Sequence, residues 1–234
     1  MNEISPTPTV EDYLGVIYTL NRDGEPIIGA KLSELLEVSP PTVTVTLKRM
    51  IRDQWITMDA RKEIHLTPKG IEAAVSIIRK HMLTEWMLSR ILEIPWSQVH
   101  EEAHKIEHSI SVDVADKMQE RLDDPECCPH GNPLPGHEKI TQNWKPLIEM
   151  EEGDRFIIRR VHEFAEEDGN LMDFLQKNKV QPDQIGIIKE KMPFNETISL
   201  QIEHSTIPLG FKIAKLLFVE KIDSNSSQIF GICI

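Results

Sequence analysis

Two short helical patterns separated by Val38-Ser39-Pro40-Pro41 constrain the fold of this chain more than any other feature. Apolar residues recur at helical spacing over Ala30–Leu36 before this break and over Pro41–Asp53 after it. Proline is tolerated in a first helical turn because its missing N–H would be unpaired there, and Ser39 can cap the same helix. The break therefore predicts two helices that meet at a tight turn.

The patterns on either side of these two helices complete a module. A further helix is predicted over Glu11–Leu20, and it ends at turn-forming residues that reach Gly24. After the second helix of the pair, Trp55–Met58 and Ile64–Thr67 have the composition of a two-stranded hairpin. Helix, helix, turn, helix and hairpin is the order of a winged helix-turn-helix, so residues 1–75 are predicted to be a DNA-binding domain.

The third helix and the hairpin tip carry the candidate DNA contacts. Hydroxyl and cationic side chains suit base edges and phosphates. The formal net charge of the chain is −12, but residues 42–69 hold six basic and three acidic residues. Because local charge governs phosphate contact, the acidic total does not exclude DNA. The predicted contacts are Ser39, Pro41, Thr42, Thr44, Val45, Lys48, Arg49, Arg61 and Lys62.

The rest of the chain divides into a helical part and a β-rich part. Residues 71–124 have helical patterns throughout, with the last long helix predicted over His100–Leu122. The Pro- and Gly-rich residues 126–146 are interpreted as a linker. Short apolar runs after Lys145 predict a small β-barrel that one helix over Asn170–Asn178 interrupts. The predicted fold class is mainly α with a small all-β C-terminal domain, and the predicted domains are 1–75, 76–140 and 141–234.

Histidine and glutamate recur at helical spacing in the middle of the chain. Four of them, on one predicted helix, are His100, His104, Glu107 and His108. These would lie within about 100° of arc, and His81 with Glu85 forms a second stripe. Imidazole and carboxylate on one helical face can form a transition-metal site. We therefore predict divalent-metal binding, with a solvated helix face as the competing interpretation.

Three alternatives remain open at this point. His100-Glu101-Glu102-Ala103-His104 matches the zinc-peptidase motif, although no characteristic extension follows it and we expect no enzyme. A metal-independent or small-molecule-responsive winged-helix regulator would leave the histidine stripes as solvated surface. Cys127-Cys128 with His130 and His137 could form a zinc knuckle, but ordinary linker thiols are the favoured interpretation.

The cysteines and the apolar patterning indicate the compartment. Two of the three cysteines, Cys127 and Cys128, are adjacent and cannot easily pair with each other, and the third is Cys233. No apolar stretch approaches the length of a membrane span, and the N-terminus lacks the basic region of a signal peptide. We expect a cytoplasmic protein with no membrane partner and no organic substrate.

Short motifs spread over nearly the whole chain occur together in one protein family. They are Glu11-Asp12-Tyr13-Leu14, Pro41-Thr42-Val43, Lys48-Arg49-Met50, Leu66-Thr67-Pro68-Lys69-Gly70, Arg79-Lys80-His81, Val99-His100-Glu101-Glu102-Ala103, Ile106-Glu107-His108 and Pro129-His130-Gly131-Asn132-Pro133-Leu134-Pro135. With these motifs the chain resembles the iron-dependent regulator family typified by the diphtheria toxin repressor, with the manganese transport regulators as close relatives. The resemblance implies a homodimer built through the middle helices and an SH3-like C-terminal domain.

The resemblance also implies two metal sites per subunit and a repressor function. The activating site implied here consists of Asp12, His104, Glu107 and His108. The ancillary site implied here consists of His81, Glu85 and His100, completed by Glu167 and Asn170. Metal at the activating site would tether the DNA-binding domain to the dimerisation helices. The expected function is metal-dependent repression, in which the dimer binds a palindromic operator of metal-homeostasis genes.

Three departures from the family pattern bear on the metal and on the operator. Iron-sensing members have Met where this chain has Asp12 and Cys where it has His104, so both sulfur ligands are lost and the site is harder. Manganese regulators share the Asp but carry Glu at the position of His104 and an acidic residue at that of Gly15, which disfavours a binuclear arrangement. Mn²⁺ is therefore the favoured corepressor and Fe²⁺ the next. Val45 stands where iron-type members have Gln, so any base contact there is apolar.

Overall fold

The computed structural model describes residues 5–222 and confirms the predicted fold class. Cys233 lies outside the described residues. The chain divides into two compact units: one contains residues up to His81 together with Ile106–Ala115, and the other contains Met82–Lys105 together with residues from Asp116 onward. Within residues 5–222, the helices are all too short or too polar to cross a membrane.

The first unit contains the predicted winged helix-turn-helix. Ser39 caps the third helix as expected, since its Oγ accepts a hydrogen bond from the backbone N–H of Thr42 at 3.3 Å. Val43, Leu47 and Met50 face the core of this unit. The elements in chain order are α1 (Pro8–Arg22), α2 (Gly29–Leu35), α3 (Pro40–Arg52), β1 (Ile56–Met58) and β2 (Ile64–Leu66).

The wing is the hairpin of β1 and β2, and Asp59 shapes its tip. The two strands are antiparallel, with Ile56 opposite Leu66. The Oδ1 atom of Asp59 accepts hydrogen bonds from the backbone N–H groups of Arg61 and Glu63, both at 2.8 Å. Because these bonds close the turn locally, the tip has a defined conformation.

The histidine-rich region is not one helix. A long helix, α4 (Pro68–Arg90), is followed by α5 (Val99–Ile106) and α6 (Val112–Arg121), so the predicted helix over His100–Leu122 is wrong. A 3-10 turn over Glu107–Ser109 separates α5 from α6. The Oγ of Ser111 then accepts a hydrogen bond from the N–H of Val114 at 3.2 Å, which starts α6 as a new helix. Glu107 and the next residue therefore leave the helical stripe on which sequence spacing placed them.

The C-terminal part of the second unit is the predicted small β domain. Its elements are β3 (Lys145–Pro146), β4 (Arg155–Val161), α7 (Glu163–Glu166), α8 (Gly169–Lys177), β5 (Ile185–Met192), β6 (Thr197–Ile202), β7 (Ser205–Gly210), α9 (Phe211–Ala214) and β8 (Leu217–Lys221). The six antiparallel strands form one sheet in the order β3-β8-β4-β5-β6-β7 around a core that contains Phe156, Leu200 and Val219. The strands β3 and β7 were not predicted, because β3 has two residues and Pro208 interrupts the short apolar pattern of β7.

The supposed linker is partly a buried segment. Residues 127–134 are all buried, and an isolated β-bridge joins Cys127 to Pro133, so the linker interpretation is wrong for this stretch. Gly131 has φ +89°, and a Cβ atom there would lie 1.9 Å from the carbonyl oxygen of Arg159. Only glycine allows the segment to approach β4 this closely.

We expect Gly131→Ala to destabilise the protein much more than Gly136→Ala. Both residues have positive φ, at +89° and +96°, but a Cβ at Gly136 meets nothing within 4 Å. Backbone strain costs each variant about 1–2 kcal/mol. The clash with Arg159 costs Gly131→Ala about 1–3 kcal/mol more. Thermal and denaturant unfolding measure the difference, and equal losses in the two variants would contradict this account of the packing.

Candidate metal centres and nucleic-acid interface

Asp12, Glu107 and His108 come together in the first unit. Asp12 lies on α1, and the other two lie in the 3-10 turn after α5. The Nε2 of His108 is 3.1 Å from Oδ1 of Asp12 and 3.6 Å from Oε1 of Glu107. Each of the three residues offers one potential ligand atom, and these atoms lie within 4.8 Å of one another. The trio provides two carboxylates and one imidazole, which suit a hard or borderline divalent cation.

Glu11 orients the imidazole of His108. Its Oε2 accepts a hydrogen bond from Nδ1 of His108 at 2.7 Å. A carboxylate on one ring nitrogen fixes the tautomer and turns the other nitrogen towards a metal. Nε2, which faces Asp12 and Glu107, is therefore the ring nitrogen that is available to a metal. Sequence analysis missed the role of Glu11.

Two further predicted ligands, His81 and His104, lie in different units of the chain. In the first unit, Nδ1 of His81 contacts Oε2 of Glu107, so His81 meets a residue that the sequence assigned to a different site. His104 is exposed and lies on α5, in the second unit. Its assignment as a ligand alongside Asp12 stays a prediction.

A second cluster lies in the second unit around His100. The Nδ1 of His100 is 3.1 Å from Oε1 of Glu85 and 2.8 Å from Oε2 of Glu166, and its Nε2 is 3.3 Å from Oε1 of Glu167. Glu85 and Glu166 are 0% and 4% exposed, so two carboxylates are buried here with an imidazole between them.

Cys128 and His130 extend this cluster from the buried segment. The Nδ1 of His130 lies 3.4 Å from Oε1 of Glu85 and 3.2 Å from Oε2 of Glu166. The potential ligand atoms of Glu85, Cys128 and His130 lie within 4.8 Å of one another. Cys128 is buried and does not lie in an open linker, while its role as an ordinary thiol stays a prediction.

The zinc-knuckle grouping is not formed. Nδ1 of His137 lies 3.8 Å from Oε1 of Glu126, and the potential ligand groups found among residues 5–222 include neither His137 nor Cys127. Glu85, from α4, is the third member beside Cys128 and His130 instead.

The buried charges perturb the pKa values of this cluster. Burial by itself lowers the pKa of His100, but the carboxylates of Glu166, Glu167 and Glu85 outweigh it and hold the pKa of His100 well above its ordinary value. The pKa of His130 is raised in the same way: burial opposes the rise, and Glu166 and Glu85 cause it. Burial and the same two carboxylates raise the pKa of the Cys128 thiol. The carboxylates thus favour the protonated form of both imidazoles, and because metal ligands must be deprotonated, we expect cation binding here to depend on pH.

The structure places the two predicted C-terminal ligands differently. Glu167 contacts His100, whereas Asn170 is exposed at the start of α8, where its backbone N–H donates to Oδ1 of Asp168 at 3.0 Å. The residue that sequence analysis missed is Glu166. His162 caps α7, and this phase of the short helix buries Glu166 while it exposes Glu167. Adjacent glutamates carry no sequence signal that distinguishes one from the other.

The predicted DNA contacts lie on the surface of α3 and the wing. Most of them are exposed, namely Ser39, Pro41, Thr42, Thr44, Val45, Lys48, Arg61 and Lys62. The apolar side chain of Val45 is 69% exposed. Arg49 is half-buried, and its Nη2 donates to Oγ1 of Thr7 at 3.4 Å. Arg49 is therefore less available for phosphate than Lys48.

Comparison with known proteins places this architecture in a family. Residues 6–64 match the N-terminal DNA-binding domain of iron-dependent repressors, and residues 67–136 match their metal-binding and dimerisation domain. Residues 145–221 match the FeoA domain. The iron-dependent repressor IdeR of Mycobacterium leprae (strain TN) is 32% identical over 95% of this chain and 100% of its own length. The chain belongs to the iron-dependent repressor family.

Solved structures agree with this assignment. A manganese-dependent transcriptional repressor in complex with manganese has TM-score 0.81 and 25% identity, and the match covers 91% of this chain and 100% of that one. The IdeR of T. acidophilum has TM-score 0.73 and 27% identity, with 94% and 100% covered. This chain is thus a metal-dependent transcriptional repressor and not an enzyme.

Among the described residues, the histidines of the peptidase-like motif do not form a common metal site. His100 is buried and His104 is exposed, and the potential ligand groups among residues 5–222 never combine the two imidazoles. Glu101, which would be the general base of such a peptidase, is exposed, and its Oε1 lies 2.9 Å from Nζ of Lys105.

We expect Glu11→Gln to weaken metal binding at the first unit's centre about 10–100-fold, because the amide cannot hold His108 as a carboxylate does. Glu101→Gln is the matched control, since it removes one exposed carboxylate that pairs only with Lys105 among the contacts described. Calorimetric titration of the metal-free chain with Mn²⁺ measures both variants. Equal affinities in Glu11→Gln and Glu101→Gln would contradict the proposed role of Glu11.

Proposed function

We propose that Mn²⁺ is the corepressor of this protein, with Fe²⁺ as the next candidate, and that the metal-loaded homodimer binds a palindromic operator of metal-homeostasis genes. The observation that carries the proposal is the trio of Asp12, Glu107 and His108, whose donor atoms are oxygen and nitrogen only. Hard oxygen donors favour Mn²⁺ over metals that prefer sulfur. The sequence prediction adds His104 as a fourth ligand of the same kind.

The position of Asp12 explains how a metal could control DNA binding. Its helix, α1, also supplies Tyr13, Leu14 and Ile17 to the core of the winged helix, and α1 packs against α2 and β2. A cation held by Asp12, Glu107 and His108 would join α1 to the 3-10 turn and offset the repulsion between the carboxylates. Metal then favours the DNA-competent conformation by the difference in its affinity for the two conformations.

We propose a second metal site per subunit around Glu85. The residues that the sequence assigned to it are His81, Glu85, His100, Glu167 and Asn170. The distances support Glu85, His100 and Glu166, with Cys128 and His130 beside them. A thiolate from Cys128 would make this site softer than the first one, so the two sites are expected to differ in metal preference. Cys127 and Cys128 are thiols and not disulfide partners, which suits a reducing cytoplasm.

We expect Asp12→Ala and Glu107→Ala each to abolish metal-dependent operator binding and to leave a folded dimer, because each removes one carboxylate ligand and no large apolar side chain. Asp113→Ala, which removes an exposed carboxylate at the start of α6, is the control and should respond to metal as the wild type does. Anaerobic operator titrations with Mn²⁺, Fe²⁺, Zn²⁺ and Co²⁺ measure the response, and light scattering measures the dimer. Unchanged metal activation in both variants would contradict this mechanism.

Metal removal tests the corepressor role without any substitution. We expect a chelator to abolish operator binding by the wild-type chain and excess Mn²⁺ to restore it. Operator binding that a chelator leaves unchanged would exclude Mn²⁺ as the corepressor.

The exposed side chain of Val45 indicates an apolar base contact. Its neighbours on α3 have engaged hydroxyls: Oγ1 of Thr44 donates to the carbonyl of Pro40 at 3.0 Å, and Oγ1 of Thr42 lies 2.8 Å from Oγ of Ser39. An apolar side chain in the major groove can contact the methyl group of thymine. We propose that Val45 selects thymine in the operator.

We expect replacement of the contacted thymine by uracil to weaken binding about 4-fold, which corresponds to about 0.8 kcal/mol for one buried methyl group. In Val45→Ala the same base change should have almost no effect. Fluorescence anisotropy on an operator selected from random DNA, with each thymine replaced in turn, measures both. If no thymine position shows a loss that depends on Val45, the contact does not exist.

A further inference from the structure

Asn132 is a fully buried amide next to the second unit's metal-ligand cluster, and it is not one of the potential ligands. Its Nδ2 donates hydrogen bonds to the carbonyl oxygen of Val161 at 2.7 Å and to Oε1 of Glu166 at 2.5 Å. Its Oδ1 accepts a hydrogen bond from Nε of Arg160. Every polar atom of this side chain is thus engaged within the second unit.

Arg160 fixes which way the amide of Asn132 faces. A guanidinium can only donate hydrogen bonds, so the atom of Asn132 that it meets must be the oxygen. Arg160 is 3% exposed, its Nη2 donates to Oε2 of Glu163 at 3.1 Å, and its guanidinium lies 4.7 Å from the ring centroid of Phe218. Since Arg160 is held on several sides, the NH₂ group of Asn132 must point towards Glu166.

The two oxygens of Glu166 therefore have different roles. Oε1 is bound by Asn132, while Oε2 lies 2.8 Å from Nδ1 of His100 and 3.2 Å from Nδ1 of His130. A carboxylate with one oxygen held by an amide presents the other oxygen in a fixed direction. Without that hydrogen bond, Glu166 could rotate, and a buried carboxylate oxygen would lose its donor.

We infer that Asn132 is a positioning residue of the second unit's metal centre: it holds Oε1 of Glu166 so that Oε2 alone is presented to a cation. The inference rests on the proposed second site. The buried residues 129–133 then have two functions at this centre, because His130 faces the carboxylates and Asn132 orients one of them.

A double-mutant cycle between Asn132 and Glu166 tests this role. Asn132→Ala, Glu166→Ala and the double variant are made in an Asp12→Ala background, which removes a ligand of the first unit's centre. Co²⁺ alone is the probe, and its affinity is measured by visible absorption in competition with a chelator. We expect Asn132→Ala to weaken Co²⁺ binding about 10–100-fold when Glu166 is present. In the Glu166→Ala background it should change the affinity less than about 3-fold, because no carboxylate remains to be positioned.

A merely structural role of Asn132 predicts another result. It would lower the Co²⁺ affinity by the same factor in both backgrounds, and this outcome would overturn the inference. Ile188→Ala is the control for lost stability, since Ile188 is 1% exposed in β5 and is not among the residues that contact Glu166. We expect it to lower the thermal midpoint of the metal-free chain and to leave the Co²⁺ affinity unchanged.

Two further outcomes separate this inference from the proposed function. If the Asp12→Ala chain binds no Co²⁺ at all, the second metal site itself is refuted and the inference falls with it. If that chain binds Co²⁺ but the cycle shows no coupling, only the role of Asn132 is refuted. Should Asn132→Ala fail to fold, Asn132→Leu keeps the branched shape without the amide, and the same cycle applies to it.

Discussion

The buried carboxylates of Glu85 and Glu166 impose the strongest physical constraint on the second unit. Two uncompensated negative charges in the interior would be very costly, and a protein tolerates them only when cations or hydrogen-bond donors surround them. Here His100 and His130 contact both carboxylates. The buried residues 127–134 contribute to this compensation, because this segment brings His130 to the cluster.

The first unit also brings carboxylates and an imidazole together, in Asp12, Glu107 and His108. Its potential ligands include no sulfur, and the carboxylate of Glu11, which is not one of them, contacts His108. The second unit places Cys128 beside its carboxylates. One chain thus carries an oxygen and nitrogen cluster between α1 and the 3-10 turn of the first unit, and a cluster that includes a thiol in the second unit. The two clusters would favour different cations.

Much of the fold could be predicted from sequence, because local patterns specify local elements. The Ser39 cap, the paired prolines and the alternating hairpin residues are sufficient for the winged helix. The centres could be predicted only in part. Helical spacing cannot show that α5 ends at Ile106, since the new helix depends on one hydroxyl of Ser111. Nor can it show that Glu166 faces inward, because this depends on tertiary packing.

The approach of Gly131 to the carbonyl of Arg159 has a consequence for modularity. A segment that packs against β4 without room for a single methyl group ties the C-terminal β domain to the residues that precede it. This domain is therefore not an accessory that could be removed or exchanged freely. A chain shortened to residue 140 would retain Glu85 and His100 but lose Glu166, so the same cut would remove one of the buried carboxylates that contact His100.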